Sequence, residues 1–198
     1  MTLLVLAAVI GGIVSGVFLP PSSVGLLDNL TTVALTILLV GIGIDLGQNK
    51  DTILKDLKKL GWHILYIPIL VALGSILGTA VSGVIIGIPL NEAAAIGAGF
   101  GWYSLSGVLL AKLHSVETGA LAFLTNVSRE VIALLLIPLI ANRFGFLTSI
   151  APGGATTMDT TLPLIAKSTD RNTAVIAFVN GLVLSALVPI LVPLLIHL

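Results

Sequence analysis

Two stretches decide how this sequence is interpreted: GAGFGWYSLSG at residues 97–107 and APGGATTMDTT at residues 151–161. Both lie inside long apolar segments, and both contain glycine clusters or a Pro-Gly-Gly turn that interrupt a helix. Irregular backbone at membrane depth is tolerated only where protein or a water-filled cavity surrounds it. A pair of interrupted segments therefore indicates the binding site of a transporter. The alternative is that these glycines only let helices pack closely.

The composition of the chain agrees with a membrane protein. Of its 198 residues, 57% are hydrophobic and only 9% are charged, against about 25% charged residues in an average soluble domain. Such a composition excludes a soluble globular enzyme and a disordered chain. The net charge is zero and no long basic cluster occurs, which argues against nucleic acid as a partner. The absence of cysteine excludes thiol catalysis and cysteine metal ligands.

The apolar residues are grouped into segments of the length that crosses a bilayer, about 20 residues each. The predicted fold is an all-α polytopic membrane protein, in which the segments at 93–113 and 148–167 are broken or re-entrant. A β-barrel is disfavoured because only 5% of the residues are aromatic and apolar and polar residues do not alternate. About seven segments are predicted, at 2–19, 27–48, 61–86, 93–113, 118–142, 148–167 and 173–197.

The whole chain, 1–198, is predicted to be a single membrane transport module. It comprises an N-terminal helix pair at 1–48, a basic cytoplasmic linker at 49–60 and a core at 61–198. With a cytoplasmic N-terminus and seven crossings, seven Lys and Arg residues face the cytoplasm and only Arg143 faces outside. If the two broken segments are hairpins, seven again face inside and only Lys112 faces outside. The charge bias therefore fits both topologies.

The two broken segments also resemble each other. A shift of 55 residues aligns Gly99 with Gly154, and ten of the 44 positions from 99 to 142 are then identical. If each broken segment is a hairpin, each copy crosses the membrane once and the internal repeat is inverted, as in many secondary transporters. If each segment crosses fully, the copies are parallel.

Two acids lie within apolar segments, where ionisable residues are costly and usually functional. Glu130 lies near the middle of segment 118–142, and we predict a role in transport or proton coupling. The alternative is that it bonds polar groups of neighbouring helices and holds the bundle together. Asp159 follows the Pro-Gly-Gly break, where its carboxylate and free carbonyls would receive an ammonium group or a cation. The alternative is a cap on the following half-helix.

Polar and aromatic residues near the breaks complete the candidate site. Asp45, Arg129 and Asn180 are secondary candidates. The three histidines lie at segment ends without metal-ligand spacing, so we predict no metal site, no cofactor and no enzyme activity. The predicted substrate-binding residues are Trp102, Tyr103, Ser104, Ser106, Asn126, Thr156 and Thr157.

Three ordered motifs resemble the lysine exporter family LysO: GFGWYSLSG at 99–107, REVIA at 129–133 running to Pro138, and GATTMDTTLP at 154–163. The resemblance implies export of L-lysine, and of analogues such as thialysine, across the cytoplasmic (inner) membrane of a prokaryote. It maps the family's membrane-embedded glutamate onto Glu130, which would carry a proton or attract the ammonium group of the substrate, as in an antiporter.

The chain departs from the family at its N-terminal side, where longer members carry a second embedded acid in a region that precedes the matched part. That acid would be replaced by Asp45, or supplied by a separate small membrane subunit or by a second copy in a homodimer. No nucleotide-binding loop occurs, because the glycines at 97–101 follow no strand. The alternatives to a lysine exporter are a carrier of another small solute, and a channel or non-transporting membrane subunit.

Overall fold

The computed structural model describes residues 61–198, apart from the side chains of Trp62 and His63. Before residue 61 it describes only positions 7, 11–12, 14–20, 25–27, 29–34, 36–37, 40–41, 44 and 48. The chain divides into two compact units, Met1–Gly47 and Gln48–Leu198. In the first unit nearly all described residues are helical. The candidate Asp45 and the predicted linker at 49–60 lie outside the described residues.

The regular elements in the described part of the second unit are helices, and no strand occurs among the described residues. Three of its helices are long and apolar enough to cross a membrane: Tyr66–Ile86, Val116–Phe144 and Arg171–Ile196. The prediction of an all-α membrane protein is confirmed for the described part, while the count of seven segments stays a prediction. The α-helices are α1 (Tyr66–Ile86), α2 (Leu90–Gly97), α3 (Tyr103–Leu113), α4 (Val116–Phe144), α5 (Leu162–Ser168) and α6 (Arg171–Ile196). Short 3-10 helices span Trp62–Leu65, Leu147–Ile150 and Gly154–Met158.

The two longest helices begin with the same type of cap. The Ser115 hydroxyl accepts a hydrogen bond of 3.1 Å from the Thr118 N–H at the start of α4. The Asp170 carboxylate accepts one of 2.7 Å from the Thr173 N–H at the start of α6. Bonds from the Thr173 hydroxyl and N–H lower the pKa of Asp170. These N-caps satisfy donors that a first helical turn leaves open, and they lie 55 residues apart, the shift of the sequence repeat.

Helices α1 and α2 pack against each other in opposite directions. A Cβ atom at Gly83 would lie 2.3 Å from the Cβ of Ala93, and one at Gly97 would lie 1.9 Å from the Thr79 Oγ1. No side chain fits at either glycine, so small residues set how closely these helices approach. The Ser75 hydroxyl also donates a hydrogen bond of 2.9 Å to the Gly97 carbonyl.

Helices α2 and α3 run in opposite directions beside the first half of α4. At one end, Glu92 accepts a hydrogen bond of 2.7 Å from the Thr118 hydroxyl and lies 3.3 Å from the His114 Nε2. At the other end, the Asn126 amide contacts the Ile96 carbonyl of α2 and the Ser106 hydroxyl of α3. Residues 90–113 therefore start and finish at the same end of α4.

Helices α4 and α6 run in opposite directions. Phe144 at the end of α4 and Asp170 before the start of α6 line one surface groove, together with Leu147. At the opposite end, the Asn91 amide donates a hydrogen bond of 3.1 Å to the Ile196 carbonyl of α6. Because residues 147–168 begin beside Phe144 and end two residues before Asp170, this segment also starts and finishes at one end of the unit.

A small apolar core joins α4 to the second broken segment and to α6. Its central residues are fully buried, and they come from α4, the 3-10 helix Leu147–Ile150, α5 and α6. Between membrane helices, such contacts stabilise through close packing rather than through removal of apolar surface from water. The central residues of this core are Ala133, Ile137, Ile150, Ile165 and Ala177.

Candidate functional site

The two interruptions of the helices meet in the interior of the second unit. The N–H of Ala155 donates a hydrogen bond of 2.8 Å to the carbonyl of Phe100. Three residues at the contact have positive φ angles: 50° at Phe100, 97° at Gly101 and 58° at Gly154. A Cβ atom at Gly154 would lie 2.3 Å from the Phe100 carbonyl oxygen, so only glycine fits there without a shift of the backbone. The glycine clusters therefore allow two backbones to touch.

Asn126 of α4 holds the first interruption in place. Its Oδ1 accepts a hydrogen bond of 2.7 Å from the Gly101 N–H. Its Nδ2 donates to the carbonyls of Ile96 and Ala122, at 3.1 and 2.9 Å. The side chain is buried, with 2% of its surface exposed. One amide group thus satisfies backbone atoms on both sides of the bend between α2 and α3.

Asn180 of α6 makes the corresponding contacts with the second interruption. Its Nδ2 donates hydrogen bonds of 3.0 Å to the Gly154 carbonyl and to the Thr157 hydroxyl. The residue is fully buried. Its Oδ1 has no hydrogen-bond partner among the described residues, although buried amide oxygens usually have one. Asn180 therefore both holds the break and leaves an acceptor atom inside it.

Arg129 connects the second interruption to α1. Its Nε donates a hydrogen bond of 3.0 Å to the Pro152 carbonyl, and its Nη2 donates one of 3.2 Å to the Ala151 carbonyl. Its Nη1 donates to the hydroxyl of Ser75, which in turn donates to the Gly97 carbonyl. Arg129 and Ser75 together link both interrupted segments to one another.

Glu130 is buried on the face of α4 that contacts both interruptions, with 2% of its surface exposed. Asn126, one turn before it, binds the first interruption. Ala133, one turn after it, packs in the core against the second broken segment. The carboxylate therefore lies on the same helix face as these two residues and between them. A charge in this position is costly unless it is protonated or paired.

The comparisons with known proteins agree with these motifs. A family model described as the lysine exporter LysO matches residues 6–196 of the chain. The chain belongs to this family. The lysine exporter LysO of Escherichia coli (strain K12) is 36% identical over 185 residues, which are 92% of this chain and 61% of that protein. The chain thus spans less than two thirds of that relative's length.

A second relative covers more of its own length. A protein of Haemophilus influenzae (strain ATCC 51907 / DSM 11121 / KW20 / Rd), provisionally named a lysine exporter, is 36% identical over 166 residues. The match covers 83% of this chain and 82% of that protein. No solved structure matches the chain. The resemblance carried by the three sequence motifs is confirmed at the level of the LysO family.

Several of the predicted substrate-binding residues use their hydroxyls within the fold. Ser106, Thr156 and Thr157 are buried, and each donates to a backbone carbonyl three or four residues before it. Tyr103 is buried and packs edge-on against Phe123, with ring centroids 5.5 Å apart. These residues shape the two breaks, whereas Trp102 and Ser104 are half-buried beside them.

Asp159 lies apart from the buried contacts. Its side chain is exposed, and its carboxylate accepts hydrogen bonds from the N–H and the hydroxyl of the neighbouring Thr160. The adjacent Met158 lies against Gly181 near the middle of α6. The structure therefore places Asp159 beside the breaks in the chain but on the surface of the second unit. It does not lie with Asn126 and Glu130 on their face of α4.

Sequence reasoning missed Ser75, which it would assign to a helix-packing face of small residues. The pairing of Glu92 with His114 was also missed, because the two residues are far apart in sequence and their types alone are ordinary at helix ends. Among the described residues, no group of three His, Cys, Asp or Glu side chains could hold a metal ion.

Proposed function

We propose that this protein exports L-lysine, and close analogues such as thialysine, across the inner membrane of a prokaryote as a secondary transporter. The observation that carries the proposal is the contact of two interrupted segments beside the buried Glu130. Interrupted helices meeting at mid-depth are the usual architecture of a transporter's binding site. Membership of the lysine exporter family supports lysine as the substrate.

Glu130 supplies the coupling in this proposal. A carboxylate buried among apolar helices is stable when it carries a proton or pairs with a cation. Lysine export in exchange for protons uses both states: the carboxylate binds the substrate's ammonium group on one side and a proton on the other. Asn126 and the core around Ala133 hold Glu130 between the two interruptions.

The two broken segments act as re-entrant hairpins in this proposal. Helices α2 and α3 have 8 and 11 residues, which at 1.5 Å per residue reach only about half of a bilayer core. The contacts of Glu92 with Thr118 and His114 support a shared entry side for both arms. The opposite directions of α4 and α6, together with N-caps 55 residues apart, support an inverted repeat, the symmetry that alternating access uses.

The hairpin topology also assigns the sides of the membrane. With a cytoplasmic N-terminus, Lys112 faces outside, while Arg143, Lys167 and Arg171 face the cytoplasm, in accord with the positive-inside rule. The exposed Asp159 then needs a polar neighbour at mid-depth, because lipid does not solvate a carboxylate. A second copy of the chain or a separate small membrane subunit would supply that neighbour.

Transport of labelled lysine into inside-out membrane vesicles tests the proposal. Vesicles containing the protein should accumulate lysine, and a pH gradient, acidic inside the vesicle, should increase the accumulation. Counterflow in proteoliposomes separates the alternatives, since a carrier exchanges labelled for unlabelled lysine and a channel does not. Accumulation equal to that of empty-vector vesicles would contradict the lysine substrate. Transport of a different solute under the same conditions would favour the alternative carrier.

A further inference from the structure

An open groove of about 550 Å³ lies along α4, where Arg129 reaches the second interruption. Pockets for small molecules usually have volumes of this order, with mostly apolar walls and a few polar groups. The groove fits this description, because its walls are aliphatic except at three positions. Its lining residues are Leu124, Thr125, Ser128, Arg129, Ile132, Ala133 and Pro152.

The polar groups of this groove have hydrogen-bonding capacity to spare. A guanidinium has five N–H donors, and Arg129 uses one on each nitrogen for Pro152, Ala151 and Ser75. Among the described residues, one N–H on each terminal nitrogen therefore has no acceptor and can bond a ligand. The hydroxyls of Thr125 and Ser128 make no hydrogen bond within the described part of the chain, although such hydroxyls in membrane helices usually bond a carbonyl one turn earlier.

Arg129 is the charged residue among those that line the groove. In the described ranges no carboxylate lies within 4.0 Å of the Arg129 guanidinium. Glu130 follows in sequence and therefore projects about 100° further round the helix. A guanidinium whose described partners are all neutral favours an anionic ligand, and a carboxylate can accept two parallel N–H bonds from it.

From these observations we infer that Arg129 binds the α-carboxylate of the transported amino acid in this groove. The inference rests on the proposed function, in which Glu130 binds an ammonium group of the substrate. It adds a site for the substrate's carboxylate, which an acidic side chain cannot bind. The free hydroxyls of Thr125 and Ser128 form hydrogen bonds with the carboxylate and the α-ammonium group, and the aliphatic wall contacts the methylene chain. Arg129 also bonds both carbonyls before the Gly153-Gly154 turn, so a bound carboxylate directly touches the group that holds the second interruption.

The test compares lysine with cadaverine, which is lysine without its carboxylate. Wild-type vesicles should transport labelled lysine at least about tenfold faster than labelled cadaverine, as loss of a charge-assisted bond predicts. Arg129→Gln should remove the preference, so that the ratio of the lysine rate to the cadaverine rate falls to about one, even where the loss of its bonds to Pro152 and Ser75 lowers both rates. Arg129→Lys, which keeps the charge without the planar fork, should restore part of the preference. Arg143→Gln, at the exposed end of the same helix, is the control and should keep the wild-type preference.

The outcomes separate this inference from the proposed function. If wild-type vesicles transport no lysine, both are overturned. If they transport lysine and cadaverine equally well, or if Arg129→Gln lowers both rates by the same factor, lysine export stands and the carboxylate site is overturned. Should the Arg129 variants fail to insert, competition in the wild type decides: lysinamide must inhibit lysine transport about tenfold more weakly than lysine does, and equal inhibition overturns the inference.

Discussion

The carbonyl of Phe100 and the N–H of Ala155 share a hydrogen bond of 2.8 Å, and this bond joins two stretches of chain that each interrupt a helix. Phe100 itself adopts a φ angle of 50°, a conformation that costs an L-residue roughly 1–2 kcal/mol. The contact thus holds a strained backbone at the centre of the unit. Strain of this kind is concentrated at sites that bind ligands or switch between states.

Glu130→Gln is expected to abolish lysine export while the protein still inserts at wild-type abundance. The amide fills the space of the carboxylate, but it neither carries a proton nor pairs with an ammonium group. Glu130→Asp should retain a fraction of the activity, because the charge remains one methylene further back. Vesicle transport normalised to immunoblot signal measures both. Glu117→Gln, at an exposed position of the same helix, is the control, and wild-type transport by Glu130→Gln would contradict the prediction.

Gly154→Ala should reduce transport far more than it reduces abundance. The added Cβ would lie 2.3 Å from the Phe100 carbonyl oxygen and 2.8 Å from the Arg129 Nη2, and the φ angle is 58°. The substitution must therefore separate the two interruptions. Gly78→Ala provides the control, since no described residue lies within 4 Å of its Cβ position in α1 and alanine favours a helix there by about 1 kcal/mol. Equal transport by both variants would show that the contact has no role.

Asn126→Ala should destabilise the protein, because it leaves the Gly101 N–H buried without its hydrogen-bond acceptor. Each unsatisfied buried group costs about 1–3 kcal/mol. A thermal-shift assay in detergent should therefore show a clearly lower Tm than that of the wild type. Asn142→Ala changes an exposed residue near the end of the same helix and should leave the Tm unchanged. A Tm as high for Asn126→Ala as for this control would contradict the assignment.

The positions of the two interruptions could be predicted from sequence, because glycine and proline act on the backbone locally. The equivalence of Ser115 and Asp170 as caps also follows from the 55-residue repeat. The meeting of Phe100 with Ala155 and the bond from Arg129 to Ser75 could not be predicted, since they depend on how separate helices pack. The burial of Glu130 could be expected from its position near the middle of an apolar segment. The exposure of Asp159 could not, because the two threonines that follow it are equally consistent with a buried site.

The remaining test of the architecture is to determine which side of the membrane each end of α4 faces. Full crossing by residues 93–113 places the start of α4 in the cytoplasm and its end outside, and re-entrant hairpins reverse this assignment. The arms α2 and α3, with 8 and 11 residues, are too short to cross separately, and Glu92 contacts both His114 and Thr118 at one end of the unit. We therefore expect the start of α4 to face outside.

Single cysteines measure these sides directly, because the chain contains no cysteine of its own. Glu117→Cys and Asn142→Cys change exposed residues near the two ends of α4 and leave the Ser115 cap intact. An impermeant maleimide applied to intact cells should label position 117 and spare position 142, while permeabilised cells should be labelled at both. Labelling of position 142 alone in intact cells would refute the hairpins. That result would also contradict the membrane sides that the proposed topology assigns to Lys112 and Arg143.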